Sequence, residues 1–314
     1  MAMKEKKAPR TTKNVDAGKV TIKENKTLRR KKAKVDWIDI FAHSFNIIWS
    51  LLILYPVLNV LARSFSGNYA IGANKVTIFP VDFTLKSYNY VLSNPRVLQS
   101  FLNAIIYTGV GVFCNLAATV LMAYPLSKSK LLGRSFILKA MIFTMYFSGG
   151  MIPTYLLVAK LGLRDSMWSL IIPNLIWTNN VIIMINGFRA TPESLYEAAY
   201  LDGAGEFQVF VQIAIPLAKA TIASLSLFFF MGHWNDFFTP MLYLDTANKM
   251  PLQVILRSML IEENTIEMDP NASTLTSEGI KGAVIFITMV PVMIVYPIVQ
   301  RYFVGGVMMG SVKG

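Results

Sequence analysis

The sequence predicts an all-α, polytopic membrane protein with six transmembrane helices. Of its 314 residues, 54% are hydrophobic and only 15% are charged, which is too apolar for an ordinary soluble domain. The apolar residues form runs of about 20 or more, the length that a helix needs to cross a hydrocarbon layer about 30 Å thick. Backbone amides find no water in that layer, so such runs are expected to be helical. The predicted spans are roughly 40–62, 98–124, 136–159, 167–188, 218–243 and 282–303.

A basic tail, 1–37, precedes the first span. Residues 1–34 hold thirteen Lys or Arg and three acids, which is +10 of the net charge of +12. No aromatic residue is interleaved with these charges, so nucleic-acid binding is a poor interpretation. A cytoplasmic tail that obeys the positive-inside rule is favoured. The first apolar run is far longer than the apolar core of a signal peptide and is predicted to be a retained helix. Six spans then return the C-terminus to the cytoplasm.

Several chemical classes are excluded by the residues that the chain lacks. Cys114 is the only cysteine, and His43 and His233 are the only histidines, so neither an intrachain disulfide nor a zinc site is predicted. The P-loop pattern GxxxxGK[ST] does not occur, which argues against ATP binding of that type. HExxH and GxSxG are also absent, and a membrane-embedded enzyme is therefore disfavoured.

The third span contains SGGMIP at 148–153, and this stretch predicts a break in the helix. Gly149 and Gly150 are followed by Pro153, and proline removes a backbone hydrogen bond and clashes with the preceding turn. Broken membrane helices line a cavity or pack on protein, where the freed carbonyls find partners. A gate in a pathway and a simple packing kink both explain the stretch.

Polar side chains also occur within the fourth and fifth spans. Asn179 and Asn180 are predicted to face other helices, as hydrogen-bond partners or as lining of a pathway. Residues 233–236, His-Trp-Asn-Asp, hold two ionisable groups near the end of the fifth span; they could line the pathway or anchor the helix at the interface. The external loop, 244–281, is acidic, and a solvated loop and a docking surface both fit it.

The segment 189–217 is polar and acidic, and it is predicted to be a cytoplasmic helix-turn-helix. Thr191-Pro192-Glu193 is a strong helix start, with proline suited to the first helical position. Leu195, Ala198 and Ala199 are expected to share one face, and Gly203 and Gly205 permit a turn. A second helix then runs to Pro216. Such a segment has little use in a protein that works alone, and it predicts docking to another subunit.

These residues carry a resemblance to a known family. EAA at 197–199, three residues, Gly203, nine residues and IAIP at 213–216 resemble the EAA loop of bacterial ABC importer permeases. The one departure is Ile215 where leucine is usual. Over 38–314 the chain is similar to carbohydrate permeases of the maltose type, notably in Trp-Asn-Asp at 234–236 and in the C-terminal ending. FSGGMIPTYLL at 147–157 resembles the branch that imports oligosaccharides released from polysaccharides.

The resemblance implies a type I ABC importer permease fold in the bacterial cytoplasmic membrane, with 38–314 as the permease domain. It implies no cofactor and no catalysis in this chain, because ATP and Mg would be held by partner ATPase subunits. The implied partners are a homologous second permease, two ATPases, an extracytoplasmic solute-binding protein, the bilayer and an oligosaccharide. The EAA helix, about 192–202, would dock in a cleft on an ATPase. The implied coupling residues are Glu197, Ala198, Ala199, Asp202, Gly203, Ile213 and Pro216; candidate substrate-path residues are Asn179, Asn180, Trp234, Asn235 and Asp236; and candidate gate residues are Gly149, Gly150 and Pro153.

An ion-coupled secondary transporter is the alternative, with His233 and Asp236 as a proton relay. Against it, no inverted pair of broken helices is evident, and the acidic loop would have no role. The sequence does not name the oligosaccharide, the partner subunits or the Gram type of the host. It also leaves open whether this subunit itself contacts the sugar.

Overall fold

A computed structural model describes residues 37–261 and 276–310, and every regular element in these ranges is helical. The basic tail, the acidic part of the external loop at 262–275 and the last four residues lie outside the described residues. Contacts divide the chain into two units, 1–51 and 52–314, and each is described by itself. This predominance of helix confirms the predicted fold class.

The first unit contributes one apolar helical stretch, the beginning of α1 (Trp37–Ser64). Phe41, Phe45 and Trp49 are spaced four residues apart and stack in order, with centroid separations of 6.4 and 6.1 Å. All three side chains are more than half exposed. In a lipid environment such a surface needs no further burial, because hydrocarbon tails are as apolar as the side chains.

The second unit is built around a long helix that follows two short ones. Asn94 caps this helix by accepting a hydrogen bond from the backbone N–H of Arg96 at 3.0 Å, and Pro95 occupies its first position, as expected for a helix start. Further along the chain come two pairs of helices, each bent at a short break. The elements up to the end of the fourth predicted span are α2 (Asn68–Gly72), α3 (Lys86–Ser93), α4 (Pro95–Ser127), α5 (Arg134–Tyr146), α6 (Met151–Lys160), α7 (Trp168–Ile171) with a 3-10 turn (Ile172–Asn174), and α8 (Thr178–Arg189).

The remaining helices begin with the EAA segment, the name used here for residues 189–217. Its second helix contains one π-helical turn, Phe210–Ala214, of the kind that often marks functional positions. The elements are α9 (Glu193–Leu201), α10 (Glu206–Val209), α11 (Ile215–Leu217), α12 (Lys219–Asn235), α13 (Phe238–Tyr243), a 3-10 turn (Ala247–Lys249), α14 (Leu252–Ile261) and α15 (Ser277–Gly310).

Up to six membrane spans are present among the described residues. Three single helices are long and apolar enough to cross a bilayer, namely α1, α4 and the 277–301 part of α15. Three bent pairs supply the others: α5 with α6, bent by 113°, α7 and its 3-10 turn with α8, bent by 59°, and 206–217 with α12, bent by 75°. This number is compatible with the six predicted spans.

The fifth predicted span, 218–243, is not one helix. The helix stops at Asn235, and Asp236 adopts an extended conformation with φ −73° and ψ 115°. The Asp236 carboxylate then accepts a hydrogen bond from the backbone N–H of Thr239 at 3.0 Å. This bond satisfies an otherwise unpaired donor at the start of α13. Apolar composition alone did not reveal this capped restart.

Within the second unit, α4 packs against both α8 and α12, and α15 packs against α12 and α3. Small residues allow these close crossings. A Cβ atom on Gly111 would lie 2.7 Å from the His233 ring, and one on Gly187 would lie 2.8 Å from the Thr221 side chain. The crossings of α4 with α12 and of α8 with α12 therefore depend on the absence of a side chain.

Candidate functional site

The EAA helix, α9, begins one residue later than the sequence predicted. Pro192 lies at the N-cap with φ −56° and ψ 133°, and Glu193 is the first helical residue. An extended conformation before the helix suits proline, which has no backbone N–H to leave unpaired. The Glu193 carboxylate lies in the first turn, where the helix dipole favours negative charge.

Gly203 ends α9 in a left-handed conformation, with φ +81°. The backbone N–H of Gly203 donates to the carbonyl of Tyr200 at 3.1 Å, and that of Ala204 donates to the carbonyl of Ala199 at 2.9 Å. These bonds satisfy carbonyls that the last helical turn leaves unpaired. A Cβ atom on Gly203 would have no neighbour within 4 Å, so glycine is needed here for its backbone angle and not for space.

The two alanines of the EAA motif have different environments. Tyr196 and Ala199 are buried, each 9% exposed, within the core formed by α4, α8 and α12. Glu197 and Ala198 are exposed. Leu195, predicted to share the face of Ala199, is 46% exposed. One face of the helix thus packs on this chain, and the opposite face, with Leu195, Glu197 and Ala198, is available to a partner.

The rest of the predicted coupling residues follow the same division. Asp202 and Gly203 are exposed at the end of α9. Ile213 lies in the π-helical turn and packs against the same core as Ala199. Pro216 is exposed at the beginning of α11. The second helix therefore anchors the segment through its apolar side chains.

Lys128 joins the EAA segment to α4, an arrangement that the sequence did not predict. Its Nζ lies 4.7, 4.2 and 5.6 Å from the ring centroids of Tyr124, Tyr196 and Tyr200. The same ammonium lies 3.6 Å from Glu206 Oε1. We call these five residues the Lys128 cage. The i, i+4 spacing of the two tyrosines on α9 placed their rings on one face, but nothing in the sequence paired that face with Lys128.

A cleft of about 540 Å³ lies beside the cage, between the 127–130 turn and α9. Its lining includes two basic residues, Lys130 and Arg189, and two acidic residues of α9, Glu193 and Glu197. The cleft therefore carries both signs of charge. Of the predicted coupling residues it includes Glu197, and it includes none of the predicted substrate-path or gate residues.

The predicted substrate-path residues of the fifth span have structural partners within this chain. Trp234 is 2% exposed; it stacks on Phe230 at 6.0 Å, and its Nε1–H donates to the carbonyl of Thr288 at 3.0 Å. The Asn235 amide donates back to the carbonyl of Met231 at 2.9 Å, and its side chain is exposed. In this conformation Trp234 serves the packing of α12 on α15.

Asn179 and Asn180, at the start of α8, differ in exposure. Asn179 is exposed, whereas Asn180 is 5% exposed and its Nδ2 has no hydrogen-bond partner among residues 37–261 and 276–310. The predicted gate residues Gly149, Gly150 and Pro153 are exposed. Gly150 has φ +88° and precedes α6, so the predicted helix break occurs where the glycines stand.

His233 takes part in a hydrogen-bonded link across three spans. One ring nitrogen, Nε2, lies 2.9 Å from Asn115 Oδ1. Asn115 in turn donates from Nδ2 to the carbonyls of Asn174 and Leu175, at 2.7 and 3.1 Å. These carbonyls stand at the break between α7 and α8, where the helix cannot satisfy them. The sequence analysis missed Asn115, whose side chain supplies hydrogen-bond donors for backbone carbonyls that a broken span leaves unpaired in the membrane.

A second polar cluster joins the loop after α6 to the turn after α13. Lys249 Nζ contacts the Asp165 carboxylate at 2.7 Å, and the backbone N–H and hydroxyl of Thr246 donate to the same carboxylate. The Lys249 ammonium, together with the Thr246 hydrogen bonds, lowers the pKa of Asp165 well below its ordinary value. Asp165 has φ +54°. Nearby, Nη2 of Arg164 donates to both carboxylate oxygens of Asp245, at 2.9 and 2.8 Å.

No group of three or more His, Cys, Asp or Glu side chains that could hold a metal ion occurs in the described ranges. The bent spans, the small-residue crossings and the anchored polar helix define a polytopic helical membrane protein. The chain belongs to the family of binding-protein-dependent transport system inner membrane components, whose model matches residues 92–308. It is a transport subunit and not an enzyme.

Comparisons with individual proteins agree with this family. The chain is 43% identical to "Protein LplC" of Bacillus subtilis over 83% of this chain and 90% of that protein. It is 38% identical to the polygalacturonan/rhamnogalacturonan transport system permease protein YtcP of the same organism, over 88% and 98%. A crystal structure of a bacterial ABC transporter involved in the import of the acidic polysaccharide alginate matches with a TM-score of 0.80 and 34% identity, over 85% and 96% of the chains. The resemblance to carbohydrate ABC importer permeases is confirmed.

The alternative of an ion-coupled transporter loses its basis. Family membership assigns the chain to a transport system with a binding protein. His233 is bonded to Asn115, and Asp236 caps α13. Each ionisable group that suggested a proton relay therefore has a structural function of its own.

Proposed function

We propose that this chain forms half of the translocation path of an ATP-driven oligosaccharide importer and is coupled to a cytoplasmic ATPase through α9. The observation that carries this proposal is the division of α9 into two faces. Tyr196 and Ala199 fix one face to the membrane helices, while Glu197 and Ala198 remain exposed. A helix held in this way can transmit movement, because its own contacts do not yield when a partner pushes on the other face.

The exposed face suits a cleft on an ATPase subunit. Ala198 permits close approach of the partner's backbone, and Glu197 supplies a charge for an ion pair or a helix cap. Closure of two ATPases on ATP would displace α9 in each of two permeases. The bundle would then change between inward-open and outward-open states, as rigid-body alternating access requires.

We further propose oligosaccharides that contain uronates as the cargo. The relatives that are 38% and 34% identical are named for transport of polygalacturonan/rhamnogalacturonan and for import of the acidic polysaccharide alginate. A relative named for transport of arabinooligosaccharides is only 25% identical, and one named for import of melibiose, raffinose and stachyose is 27% identical. Competition between oligogalacturonates and neutral oligosaccharides of equal length, measured as uptake by reconstituted complexes, tests the cargo.

The proposed assembly contains a second permease, two ATPases that hold ATP and Mg, and a solute-binding protein on the outer face. The family description itself specifies binding-protein dependence. The candidate path residues Asn179, Asn180, Asn235 and Asp236 and the gate stretch 149–153 remain part of the proposal. Trp234 would join the path only in a conformation that releases it from Phe230 and Thr288.

Gly203 provides the sharpest test of coupling. Gly203→Val is expected to abolish sugar-stimulated ATP hydrolysis, because a β-branched residue at φ +81° forces the end of α9 out of its present geometry. Gly203→Asn is the matched control, since asparagine tolerates left-handed angles and a Cβ meets nothing within 4 Å. Hydrolysis is measured in proteoliposomes with the ATPases and the loaded binding protein, after membrane insertion has been verified. Unchanged sugar-stimulated ATP hydrolysis in Gly203→Val would contradict the proposal.

A further inference from the structure

The Lys128 cage contains more interactions than a surface lysine usually makes. Its ammonium lies within about 6 Å of three tyrosine ring centroids, the range over which a ring attracts a cation. The nearest ring is that of Tyr196 on α9, at 4.2 Å, and Tyr124 on α4 follows at 4.7 Å. The side chain of Lys128 is 28% exposed. One cation, at the C-terminal end of α4, is thus held between a ring of α4 and a ring of α9.

Hydrogen bonds extend the cage to the second helix of the EAA segment. Lys128 Nζ donates to the Tyr200 hydroxyl at 3.2 Å, and that hydroxyl donates to Glu206. Glu206 also pairs with the ammonium. A single charge therefore connects the end of α4, the coupling helix and the start of α10.

The neighbouring basic residues are used differently. Arg134 Nε donates to the carbonyl of Leu126 at 2.8 Å, and Arg189 Nε donates to the carbonyl of Ser127 at 3.2 Å. Both bonds close the end of α4 on backbone atoms and leave α9 untouched. Lys130 is exposed and lines the cleft beside the cage. Among these cations, Lys128 is the one that contacts the side chains of α9.

We propose that Lys128 is a positioning residue for energy coupling, which sets the angle of α9 against α4. This inference rests on the proposed function of α9. Tyr196 and Ala199 are the buried residues of α9. Two buried side chains alone would let the helix rotate about the line that joins them. Lys128 adds contacts to Tyr200 and to Glu206, which are independent of Tyr196 and Ala199 and resist this rotation. A partner that pushes on Glu197 and Ala198 then moves α4 together with α9, because α9 does not tilt against α4.

The test uses the complete complex in proteoliposomes, with both permeases, the ATPases and the loaded binding protein. Transport and ATP hydrolysis are measured together, and the readout is sugar transported per ATP hydrolysed. Lys128→Met keeps the aliphatic stem and removes the charge. It is expected to lower this ratio roughly fivefold, the lower end of usual coupling effects, while ATPase co-purification and basal hydrolysis persist. Lys128→Arg, which keeps the charge and can stack on the rings, is expected to restore the ratio, and Lys130→Met is expected to leave it unchanged.

Glu206→Gln supplies a second variant that keeps the side-chain volume and leaves Lys128 in place. It is expected to lower the ratio in the same direction, and the double variant with Lys128→Met is expected to be no worse than Lys128→Met alone, because the two residues act as a unit. An unchanged ratio in both single variants would overturn the inference, as would loss of ATPase co-purification from Lys128→Met, which would assign the residue to docking. If Gly203→Val leaves stimulated hydrolysis intact, the proposed function itself fails, and that result is independent of the transport ratio.

Discussion

Gly111 sets the distance between α4 and α12. It is buried, and the His233 ring occupies the space that its side chain would need. The ring cannot easily move away, because Nε2 is bonded to Asn115 and Trp177 lies 6.4 Å away on another side. Because Gly111 has no Cβ, the His233 ring can stay bonded to Asn115. Asn115 in turn donates to the carbonyls at the break in the fourth span.

Gly111→Ala is expected to destabilise the protein by about 1–3 kcal/mol, the usual cost of overpacking a well-packed site. Gly109→Ala, two residues away on the same helix, is the matched control, since a Cβ atom there meets nothing within 4 Å. The control is expected to be neutral or to gain about 0.5–1 kcal/mol from the higher helix propensity of alanine. The measurement is the free energy of unfolding in detergent micelles. Equal stability of the two variants would contradict the crossing described here.

At the residue scale, the sequence predicted local motifs better than it predicted which side chains contact each other. The EAA pattern predicts a coupling role for Glu197, Ala199 and Gly203 from local spacing, and that role stays a prediction. The same reasoning missed Lys128 and Asn115, whose partners are distant in the chain: Asn115 lies 118 residues from His233. Local spacing defines a helix face, but only packing determines which residue comes to lie against it.

Among the elements, the loop after α6 depends on one carboxylate. Asp165 adopts φ +54°, an angle that Asp and Asn tolerate better than most residues. Its carboxylate holds both Lys249 and Thr246. The turn is further tied to α4, since Asn103 Nδ2 donates to the carbonyl of Asn248 at 2.7 Å. The turn between α13 and α14 is thereby held to two other elements.

The contact of Asp165 is expected to depend on pH. Because the folded-state pKa lies below the ordinary value of about 4 for aspartate, the contact stabilises the fold above that value and is lost as pH falls toward the lower folded-state pKa. Asp165→Asn keeps the size and the tolerance of positive φ but removes the charge. It is expected to have a lower thermal midpoint than the wild type at neutral pH, and the difference should shrink in acid. A difference that does not vary with pH would show that charge plays no part.

Helix breaks were predictable where backbone chemistry demands them. The break before α6 was predictable from Gly149, Gly150 and Pro153, because glycine and proline change the backbone at their own positions. The restart at Asp236 gave no such signal, since its cause is a cap made with Thr239. The break between α7 and α8 likewise depends on Asn115, an outside donor that makes unpaired carbonyls tolerable in a membrane.

On the scale of the whole molecule, the spans and the EAA segment are held by different kinds of contact. The membrane helices meet through small residues and interhelical hydrogen bonds, while the polar segment is anchored to them by Tyr196, Ala199 and the Lys128 cage. Six spans were predictable from apolar length alone, because the bilayer imposes it. Sidedness follows from charge and is a separate prediction, since the structure contains no membrane.

The positive-inside rule predicts that the loop 128–133 lies in the cytoplasm, because Lys128 and Lys130 are in the loop and Arg134 follows it. Labelling of single cysteines tests this in a Cys114→Ser background, which removes the only native thiol. Leu132→Cys and Phe79→Cys are suitable probes, since the native side chains are 94% and 76% exposed.

A membrane-impermeant maleimide is expected to label Phe79→Cys and to spare Leu132→Cys in right-side-out vesicles, and to do the reverse in inside-out vesicles. An enclosed marker enzyme reports vesicle integrity. The EAA segment stands at the same end of α4 as Leu132, because Lys128 contacts Tyr196 and Tyr200. The opposite labelling pattern would therefore place α9 outside the cell, where no ATPase could reach it, and coupling through the EAA segment would be ruled out together with the topology.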